Sequence, residues 1–437
     1  MMTRTEAENY IYESYLKAEK DWDYSMPDSV KRHPEFSKPV LTGLNQKSKV
    51  PTILVTGSKG KGSVACMIAQ ILSDSANVGL MTSPHILKFN ERFRVNGNCI
   101  TDKEFCELTE KTKELFAPVR ESLKSGECIS PIGIQCALAL QYFLHHQVDY
   151  RVFECGKGVK YDDANQIFHE YAVINNIFLE HTRELGNTLS EIAKDKASIM
   201  TGDQKCVYVA KQSEEVLTVL MQRAEETNVK MKCYGIDFWE ENVRFCENGM
   251  LFDACIGNRV YNDVSLPLLG RHQARNGVLA MTVCLDLLQK DFYIDSVREK
   301  LKNIKWPGRM EILDDNPLTI LDACINEESA RQVLDVLNEM KISQVTSIVG
   351  IPDDKDFMGV VKTIAPFSST VILTKSSNMH YIFTKNQIEI LEKNGYQNIC
   401  FKELPDALIF AKKVEKPILI LGTTSLIADV EKLYHQI

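Results

Sequence analysis

The sequence predicts an α/β protein with a doubly wound, mostly parallel sheet in a first domain and a second, smaller α/β domain. Three observations support this fold class. Short apolar runs alternate with helical patterns over most of the 437 residues, as in proteins whose helices cover a parallel sheet. A glycine-rich turn at 57–62 joins one apolar run to a helical pattern. Near 303–313, Trp306, Pro307 and Gly308 break the helical patterns, and a new alternation follows.

The apolar runs are the strand candidates, because each is short and is bounded by polar or turn residues. They lie at 52–56, 149–154, 172–178, 205–210, 318–322, 345–350, 370–374 and 417–421. Helical patterns lie at 62–75, 102–116, 188–200, 270–289, 327–340 and 422–436. Helices between consecutive strands predict parallel pairing, since parallel neighbours need a long crossover. The segment 228–265 alternates in short pieces with turn residues, which predicts a small antiparallel patch before the helix at 270.

The break at 303–313 divides the chain into two predicted domains. Residues 1–304 carry the glycine-rich turn and the antiparallel patch. Residues 305–437 begin a fresh alternation of strands and helices, which predicts a Rossmann-like domain. Each part contains several apolar strands, so each can bury a core of its own.

Composition excludes several classes of protein. The formal net charge is −8 and the pI is near 5.7, which gives no basic surface for nucleic acid. The thirteen cysteines are scattered and odd in number, so we expect reduced thiols without a disulfide framework. We also expect no zinc site, because the sequence lacks paired ligand spacing. The N-terminus is polar, and no apolar stretch reaches the length of a membrane span. These features predict a cytoplasmic protein.

The turn in the stretch ILVTGSKGKGSVACMIAQIL, residues 53–72, has the chemistry of a phosphate-binding loop, or P-loop. Glycines expose backbone N–H groups between a strand and a helix, and the helix dipole adds positive charge there. Lys61 supplies a charge for the β- or γ-phosphate, and Ser63 supplies a hydroxyl near a metal ion. The residues predicted to bind ATP in this loop are Gly57, Ser58, Gly60, Lys61, Gly62 and Ser63.

The spacing of this loop differs from the common G-x-x-x-x-G-K-[ST] pattern, because Gly62 separates Lys61 from Ser63. The simpler interpretation is a glycine turn with surface lysines. Lys59 in particular fits a solvated side chain. The joint presence of strand, glycines, lysine, hydroxyl and helix favours the phosphate loop.

Further motifs follow in order along the chain. They read TGSKGKGS, TSPHILKFNERFRVNG, ECGKG, EHTRELGNTLSEIAKDKASI, LPLLGRHQARN, WPGRME, LDACINEESA, DDKD and LILGTTSL. Together they resemble the folylpolyglutamate synthase and dihydrofolate synthase family within the Mur ligase superfamily. The resemblance spans nearly the whole chain.

The resemblance implies an ATP-dependent amide ligase with ATP and Mg²⁺ as cofactors. Such an enzyme transfers the γ-phosphoryl group to a carboxylate, and the amine of an amino acid then displaces phosphate. The expected substrates are a folate or dihydropteroate and L-glutamate. The expected protein is a monomer without nucleic-acid or membrane partners.

The resemblance also assigns roles to residues of the first domain. Lys61, His181 and Lys196 would be catalytic, and Lys196 matches a lysine that is often carbamylated in the family. The expected metal ligands are Ser83 and Glu154 for one ion and His181 for a second. Around them, the expected substrate-binding residues are Thr82, Pro84, His85, Asp162 and Asn165, although His85 could serve only to pin its loop.

Three further residues would hold the nucleotide. The resemblance implies that Asn276 contacts adenine, that Arg309 contacts the phosphates and that Asp322 binds the ribose hydroxyls. Arg309 follows the predicted domain boundary, so its entry into the site would couple domain closure to catalysis. The simpler interpretation of Arg309 is a structural arginine paired with a nearby carboxylate.

Three departures from the family pattern limit the substrate assignment. Ile325 stands where the family has a histidine, and Glu180 stands where it has an aspartate. Val159 and Lys160 replace a glycine and an arginine, and lysine cannot reproduce a bidentate arginine contact. Two alternatives to a folate ligase therefore stay open. One is a repurposed ligase that joins an amino acid to a different carboxylate, and the other is a non-catalytic nucleotide-binding protein.

Overall fold

A computed structural model of the chain describes residues 2–23, 26–246, 249–379, 381–384 and 386–434. Its strands are β1 Thr52–Thr56, β2 Val78–Met81, β3 Phe93–Val95, β4 Asn98–Cys99, β5 Tyr150–Glu154, β6 Tyr171–Ile174, β7 Cys206–Val209, β8 Met231–Cys233, β9 Phe238–Cys246, β10 Gly249–Ile256, β11 Arg259–Leu266, β12 Glu311–Asp315, β13 Leu318–Asp322, β14 Val345–Gly350, β15 Ser368–Leu373, β16 Ile399–Phe401 and β17 Ile418–Gly422.

The α-helices precede the strands, lie between them or, for the last helix, follow them. They are α1 Arg4–Ala18, α2 Asp28–Lys31, α3 Pro34–Gln46, α4 Lys61–Leu72, α5 Asp102–Ser122, α6 Pro131–His145, α7 Thr182–Leu185, α8 Leu189–Ala197, α9 Glu214–Thr227, α10 Arg271–Leu288, α11 Ile294–Lys302, α12 Glu327–Glu339, α13 Phe357–Ile364, α14 Asn386–Lys393, α15 Leu404–Lys413 and α16 Thr424–Leu433. The last two residues of the predicted helix 422–436 lie outside the described residues.

The chain divides into two compact units. Unit 1 comprises Met1–Glu241, Asp253–Val264 and Arg275–Ile304, and unit 2 comprises Asn242–Phe252, Ser265–Ala274 and Lys305–Ile437. Two segments that the sequence analysis assigned to residues 1–304 therefore belong to unit 2. A single boundary in the sequence cannot express this, because these segments pack with residues far along the chain.

Unit 1 is built on an eight-stranded sheet in the order β4-β3-β2-β5-β1-β6-β7-β8. The six consecutive strands β2-β5-β1-β6-β7-β8 of this sheet pair in parallel. Strands β3 and β4 add an antiparallel edge beside β2. All five residues of β1 are buried, as expected of a strand with helices on both faces. The predicted doubly wound, mostly parallel sheet is confirmed.

The core of unit 1 lies between this sheet and its helices. Buried side chains from α6, such as Ile134, Leu138 and Tyr142, pack with Phe143 and with Phe153 of β5. Helix α6 buries ten of its fifteen residues, because it lies inside the unit with apolar residues on most of its surface. This packing fixes the strand ends that carry the candidate site.

Unit 2 contains a six-stranded sheet in the order β12-β13-β17-β14-β15-β16. The pairs from β13 to β16 are parallel, and β12 is an antiparallel edge strand. Every residue of β14 and β17 is buried. This is the predicted Rossmann-like arrangement, and the second sheet has its own apolar core.

A three-stranded sheet in the order β11-β10-β9 occupies most of the predicted patch at 228–265. Met231–Cys233, near the start of that segment, behaves differently. It forms β8 and pairs in parallel with β7 in the large sheet, which corrects that part of the patch.

The structure also describes the cysteines and the apolarity of the helices. All thirteen cysteines are free thiols. None of the helices within the described ranges combines the length and apolarity needed to cross a membrane.

Candidate active site

The phosphate loop lies where β1 ends and α4 begins. Gly57 and Gly60 have φ values of +141° and +77°, and Gly60 caps the N-terminus of α4. A Cβ atom at Gly60 would lie 2.5 Å from Nδ2 of Asn175, and one at Gly57 would lie 2.8 Å from Cβ of Asn175. Both positions require glycine, because a side chain would be strained and would collide with Asn175.

Lys61 and Ser63 stand on the first turn of α4. The Lys61 ammonium donates to the carbonyl oxygens of Gly57 at 3.0 Å and Ser58 at 3.4 Å, so it folds back over the loop. The Ser63 hydroxyl is buried and lacks a hydrogen-bond partner among the described residues. A buried orphan hydroxyl next to a lysine and a helix N-terminus fits a phosphate with its metal ion.

Ser83 and Glu154 meet at the same edge of the sheet. Glu154 is the last residue of β5 and is paired with Val55 of β1. Its carboxylate accepts the Ser83 backbone N–H at 2.9 Å. The structure therefore brings together two of the predicted metal ligands at the carboxyl ends of parallel strands, where ligands bind in open α/β sheets.

The segment FNER organises the TSPH loop. The Glu91 carboxylate accepts backbone N–H groups of Ile86, Leu87 and Lys88 at 2.8–3.0 Å. The buried Arg92 guanidinium donates to Nδ1 of His85 at 3.0 Å. This hydrogen bond holds the His85 ring, and a contact of His85 with substrate stays a prediction. Thr82 and Pro84 lie on the same loop, and Thr82 accepts a hydrogen bond from Arg94 at 3.4 Å.

Lys196 lies fully buried beside the phosphate loop. Its ammonium donates to the Gly57 carbonyl at 3.1 Å and to the Lys157 carbonyl at 2.9 Å. It also pairs with Glu180 at 3.1 Å, with exposed fractions of 0% and 14% for the two side chains. Burial and the nearby Lys61 lower the pKa of Lys196, and Glu180 opposes that effect. Lys196 thus connects the phosphate loop to the ECGKG turn.

His181 follows Glu180 in the sequence and therefore lies near Lys196. It adopts a left-handed conformation, with φ +47°, at the start of α7. Its Nε2 atom lies 3.9 Å from the Glu180 carboxylate. Desolvation lowers the pKa of His181, which favours the neutral ring that binds a metal.

Asp162 and Asn165 make hydrogen bonds within the protein, and their contact with substrate stays a prediction. The Asp162 carboxylate is buried, and its two oxygens accept the backbone N–H groups of Gly156 and Ala164 at 2.8 and 2.9 Å. Asn165 donates to the Ser198 carbonyl at 3.2 Å. These side chains support the turn that follows Glu154. Sequence alone could not separate support from contact, since both roles favour the same polar residues.

A cavity of about 520 Å³ in unit 1 opens beside the ECGKG turn. The aromatic rings of Tyr15 and Trp22 pack edge to face on its wall, with centroids 5.4 Å apart. Lys157 pairs with Asp28 at 3.3 Å and with Glu184 at 3.1 Å on another side. The cavity therefore offers aromatic surface and charges of both signs.

Asn276 of α10 lies beside the phosphate loop in unit 1. Its Oδ1 atom accepts from Nδ2 of Asn175 at 3.0 Å. A Cβ atom at Gly60 would lie 3.3 Å from its Nδ2 atom. Asn175 thus orients Asn276 beside the phosphate loop, and the contact of Asn276 with the nucleotide stays a prediction.

Arg309 and Asp322 lie together in unit 2. Asp322 is the last residue of β13, and its carboxylate accepts the Met310 backbone N–H at 2.9 Å. Arg309 precedes Met310 and donates to the Gly308 carbonyl at 3.1 Å. No carboxylate within the described residues forms an ion pair with Arg309, so the alternative interpretation of Arg309 as half of a structural pair gains no support. Its contact with phosphate stays a prediction.

Sequence reasoning missed Asn175, Lys157 and Arg92. Asn175 follows β6 directly, and a polar residue just after a buried parallel strand is a usable signal for a binding edge. Lys157 lies inside the quoted ECGKG motif, and Arg92 inside NER. Their roles depend on contacts with residues distant in the chain, which the sequence does not reveal.

Comparisons with known proteins identify the family. Residues 55–284 match the Mur ligase middle domain. The dihydrofolate synthase/folylpolyglutamate synthase of Bacillus subtilis (strain 168) is 28% identical over 399 residues, which cover 88% of this chain and 91% of that protein. The folylpolyglutamate synthase of Lacticaseibacillus casei is 27% identical over 388 residues, with 87% and 89% covered.

The same fold occurs in a crystal structure of Mycobacterium tuberculosis folylpolyglutamate synthase complexed with ADP and AMPPCP. The TM-score is 0.86 at 23% identity, and the match covers 97% of this chain and 99% of the other. The two-domain Mur ligase fold predicted from the sequence is therefore confirmed. Since the middle-domain match covers more than half of the 437 residues, the chain belongs to the Mur ligase family and is similar over most of its length to folylpolyglutamate and dihydrofolate synthases.

Proposed function

We propose that this protein is an ATP-dependent ligase that joins L-glutamate to a folate or dihydropteroate. The observation that carries the proposal is that Lys61 and Lys196 both donate to the Gly57 carbonyl, at the sheet edge where Glu154 also accepts the Ser83 backbone N–H. Such an edge combines a phosphate cradle, candidate metal ligands and fixed positive charge. The names of the similar proteins support the choice of substrates.

The proposed reaction has two steps. A substrate carboxylate oxygen attacks the γ-phosphorus of ATP, so that an O–P bond forms, the bond to the β-phosphate oxygen breaks and ADP leaves. The glutamate amine then attacks the acyl carbon, a C–N bond forms, and inorganic phosphate leaves with a proton lost from nitrogen. Lys61 and the backbone N–H groups of the loop neutralise charge on the transferred group.

Mg²⁺ fits the residues at this edge. Oxygen ligands are what Mg²⁺ prefers, and Ser63 presents a buried hydroxyl without a partner in the described structure. Ser83 and Glu154 would hold one ion, and His181 would help to hold a second. When bound, the ions would screen the phosphate charges as the carboxylate approaches. Carbamylation of Lys196 stays a prediction, as do the monomeric state and the cytoplasmic location.

The cavity beside Lys157 supports an aromatic carboxylate as substrate. Tyr15 and Trp22 supply stacking surface, and Asp28 supplies an acceptor for ring N–H groups. Because Lys157 also lines this cavity and its carbonyl accepts from Lys196, the cavity adjoins the proposed phosphate site. A bound acid could therefore direct its carboxylate towards the γ-phosphate.

A repurposed ligase acting on a different acid is the second candidate. It rests on Val159, Lys160 and Ile325. Val159 is fully buried and donates its N–H to Asp195 at 2.7 Å, whereas Lys160 is exposed with its ammonium 5.3 Å from the Tyr161 ring. Lys160 therefore makes no buried bidentate contact of the kind an arginine provides.

The test measures ADP release and the mass of the conjugate when purified protein meets ATP, Mg²⁺, an acid and an amino acid. The proposal predicts that dihydropteroate or a folate together with L-glutamate gives ADP and a glutamyl conjugate. ADP release with other carboxylic acids but not with dihydropteroate or a folate would favour the repurposed ligase. A complete lack of substrate-dependent ADP release with every acid would contradict both.

A further inference from the structure

A cluster of nitrogen and oxygen ligands lies at the end of α6 remote from the proposed active site. Pro131 at the N-terminus of α6 lines the cavity described above, whereas His145 and His146 are at its C-terminus. Glu104 from the first turn of α5 completes the cluster. We propose that Glu104, His145 and His146 bind a divalent transition metal ion of the Zn²⁺ type.

The distances suit such an ion. One ligand atom from each residue lies within 4.8 Å of the other two, and Nε2 of His146 is already 2.8 Å from Oε1 of Glu104. Zinc bonds to nitrogen and oxygen are about 2.0–2.2 Å long, so tetrahedral ligand atoms are separated by roughly 3.3 Å. Rotation of the exposed His145 side chain would bring its ring nitrogen to that separation from the half-buried Glu104 and His146.

Two of the three ligands are held in place before any ion binds. Oε2 of Glu104 accepts both the backbone N–H of Thr101 at 3.1 Å and its hydroxyl at 2.6 Å. These two hydrogen bonds orient the carboxylate of Glu104 so that Oε1 faces His146. The His146 ring packs edge-on against Tyr142, with centroids 4.6 Å apart. His145 is exposed, so it can rotate to complete the site.

The ligand types determine which ion binds. Two imidazoles and one carboxylate favour Zn²⁺, Co²⁺ or Ni²⁺ over Mg²⁺, so this site is chemically distinct from the oxygen-rich nucleotide edge. An ion bound here joins the start of α5 to the end of α6 and stabilises unit 1 by mass action. Three protein ligands leave a coordination position for water.

The experiment uses chelator-treated full-length protein and Zn²⁺ or Co²⁺ alone as the probe. Calorimetry should give one saturable equivalent, Co²⁺ should develop visible absorption, and Zn²⁺ should raise the thermal midpoint. H145Q and H146Q should each weaken binding at least tenfold and remove the thermal shift. H33Q is the matched control, because His33 pairs with Glu35 at 2.9 Å on the surface outside the cluster; it should bind as the wild type does.

Two results of the experiments without Mg²⁺ would overturn the proposal. One is a lack of saturable binding by the wild-type protein. The other is binding that survives both H145Q and H146Q, which would assign the metal to exposed thiols such as those of Cys99 and Cys246. An excess of Mg²⁺ should leave the Zn²⁺ isotherm unchanged, and competition by Mg²⁺ would also contradict the stated ligand chemistry.

Discussion

At the scale of single residues, Lys196 and Glu180 form a buried ion pair in unit 1. The lysine is fully buried, and its ammonium holds carbonyls of both the phosphate loop and the ECGKG turn. Glu180 has one methylene more than the aspartate of the resembled family, and its carboxylate reaches the ammonium at 3.1 Å. The departure noted in the sequence thus has a structural consequence.

E180Q should destabilise the protein because it leaves the buried Lys196 cation without its acidic partner. Removing one member of a buried pair costs about 3–5 kcal/mol. K196M should also destabilise, and the double variant should lose clearly less than the sum of the two single losses. Urea unfolding of the wild type, E180Q, K196M and the double variant measures the coupling free energy of this double-mutant cycle. Additive losses would show that the pair contributes no coupling.

Asp163 should make stability depend on pH. Its carboxyl is buried and accepts hydrogen bonds from Ser37 and Ser130, and burial raises its pKa to about 6. Because folding raises the pKa, this group's stabilising contribution is complete below the unfolded value near 4 and is lost as pH rises through about 6. As the pH rises from 4.5 to 8, the free energy of unfolding of D163N should therefore increase relative to that of the wild type.

The expected gain for D163N over that pH range is on the order of 2–3 kcal/mol, since one pKa unit corresponds to about 1.4 kcal/mol. Denaturant unfolding at several pH values measures it. D295N is the control for the same substitution at an exposed carboxyl, because the Asp295 side chain is 91% exposed. A constant difference between D163N and the wild type would contradict the raised pKa.

Residue types near strand ends could be predicted well from the sequence. Glu154 was placed correctly because an apolar run ends at a glycine turn, and Lys61 because glycines flank it before a helix. The support role of Asp162 and the identity of Arg92 as the hydrogen-bond partner of His85 could not be predicted. Those roles depend on which polar partner is nearby, and that is decided by the tertiary fold.

At the scale of elements, the turn between β1 and α4 depends on glycine conformation. G60A should destabilise by about 1–2 kcal/mol, because alanine is strained at φ +77° and its Cβ would displace the Asn175 amide. It should also raise the KM for ATP, since Asn175 orients Asn276. Thermal unfolding and initial rates measure the two effects.

G43A provides the matched control for G60A. Gly43 lies inside α3, and a Cβ atom there would meet nothing within 4 Å. Alanine is a better helix former than glycine by about 1 kcal/mol, so G43A should stabilise slightly and leave the KM for ATP unchanged. Equal effects of the two variants would remove the conformational explanation for Gly60.

The existence of most strands could be predicted from the sequence, but their order could not. The run at 52–56 folds as predicted, because strands buried on both faces are continuously apolar. β8 was assigned to the wrong sheet, since three residues carry too little pattern to choose a partner. The predicted strand 172–178 ends at Ile174, because Asn175 turns back towards the phosphate loop.

At the scale of the whole molecule, two α/β units with separate cores explain the alternation along the chain. The break near residue 304 was visible in the sequence as a helix-breaking cluster. The membership of Asn242–Phe252 and Ser265–Ala274 in unit 2 was not visible. Long-range packing decides it, and local patterns of hydrophobicity do not record such contacts.

The central claim is that ATP activates a carboxylate by phosphorylating it at the edge formed by Lys61 and Glu154. The most direct test uses the acid that raises ADP release, labelled with ¹⁸O in its carboxylate, and measures the mass of the phosphate released. We predict that one ¹⁸O atom moves to phosphate in the wild type and that K61A gives neither ADP nor labelled phosphate. Amide formation that releases only unlabelled phosphate would contradict the account.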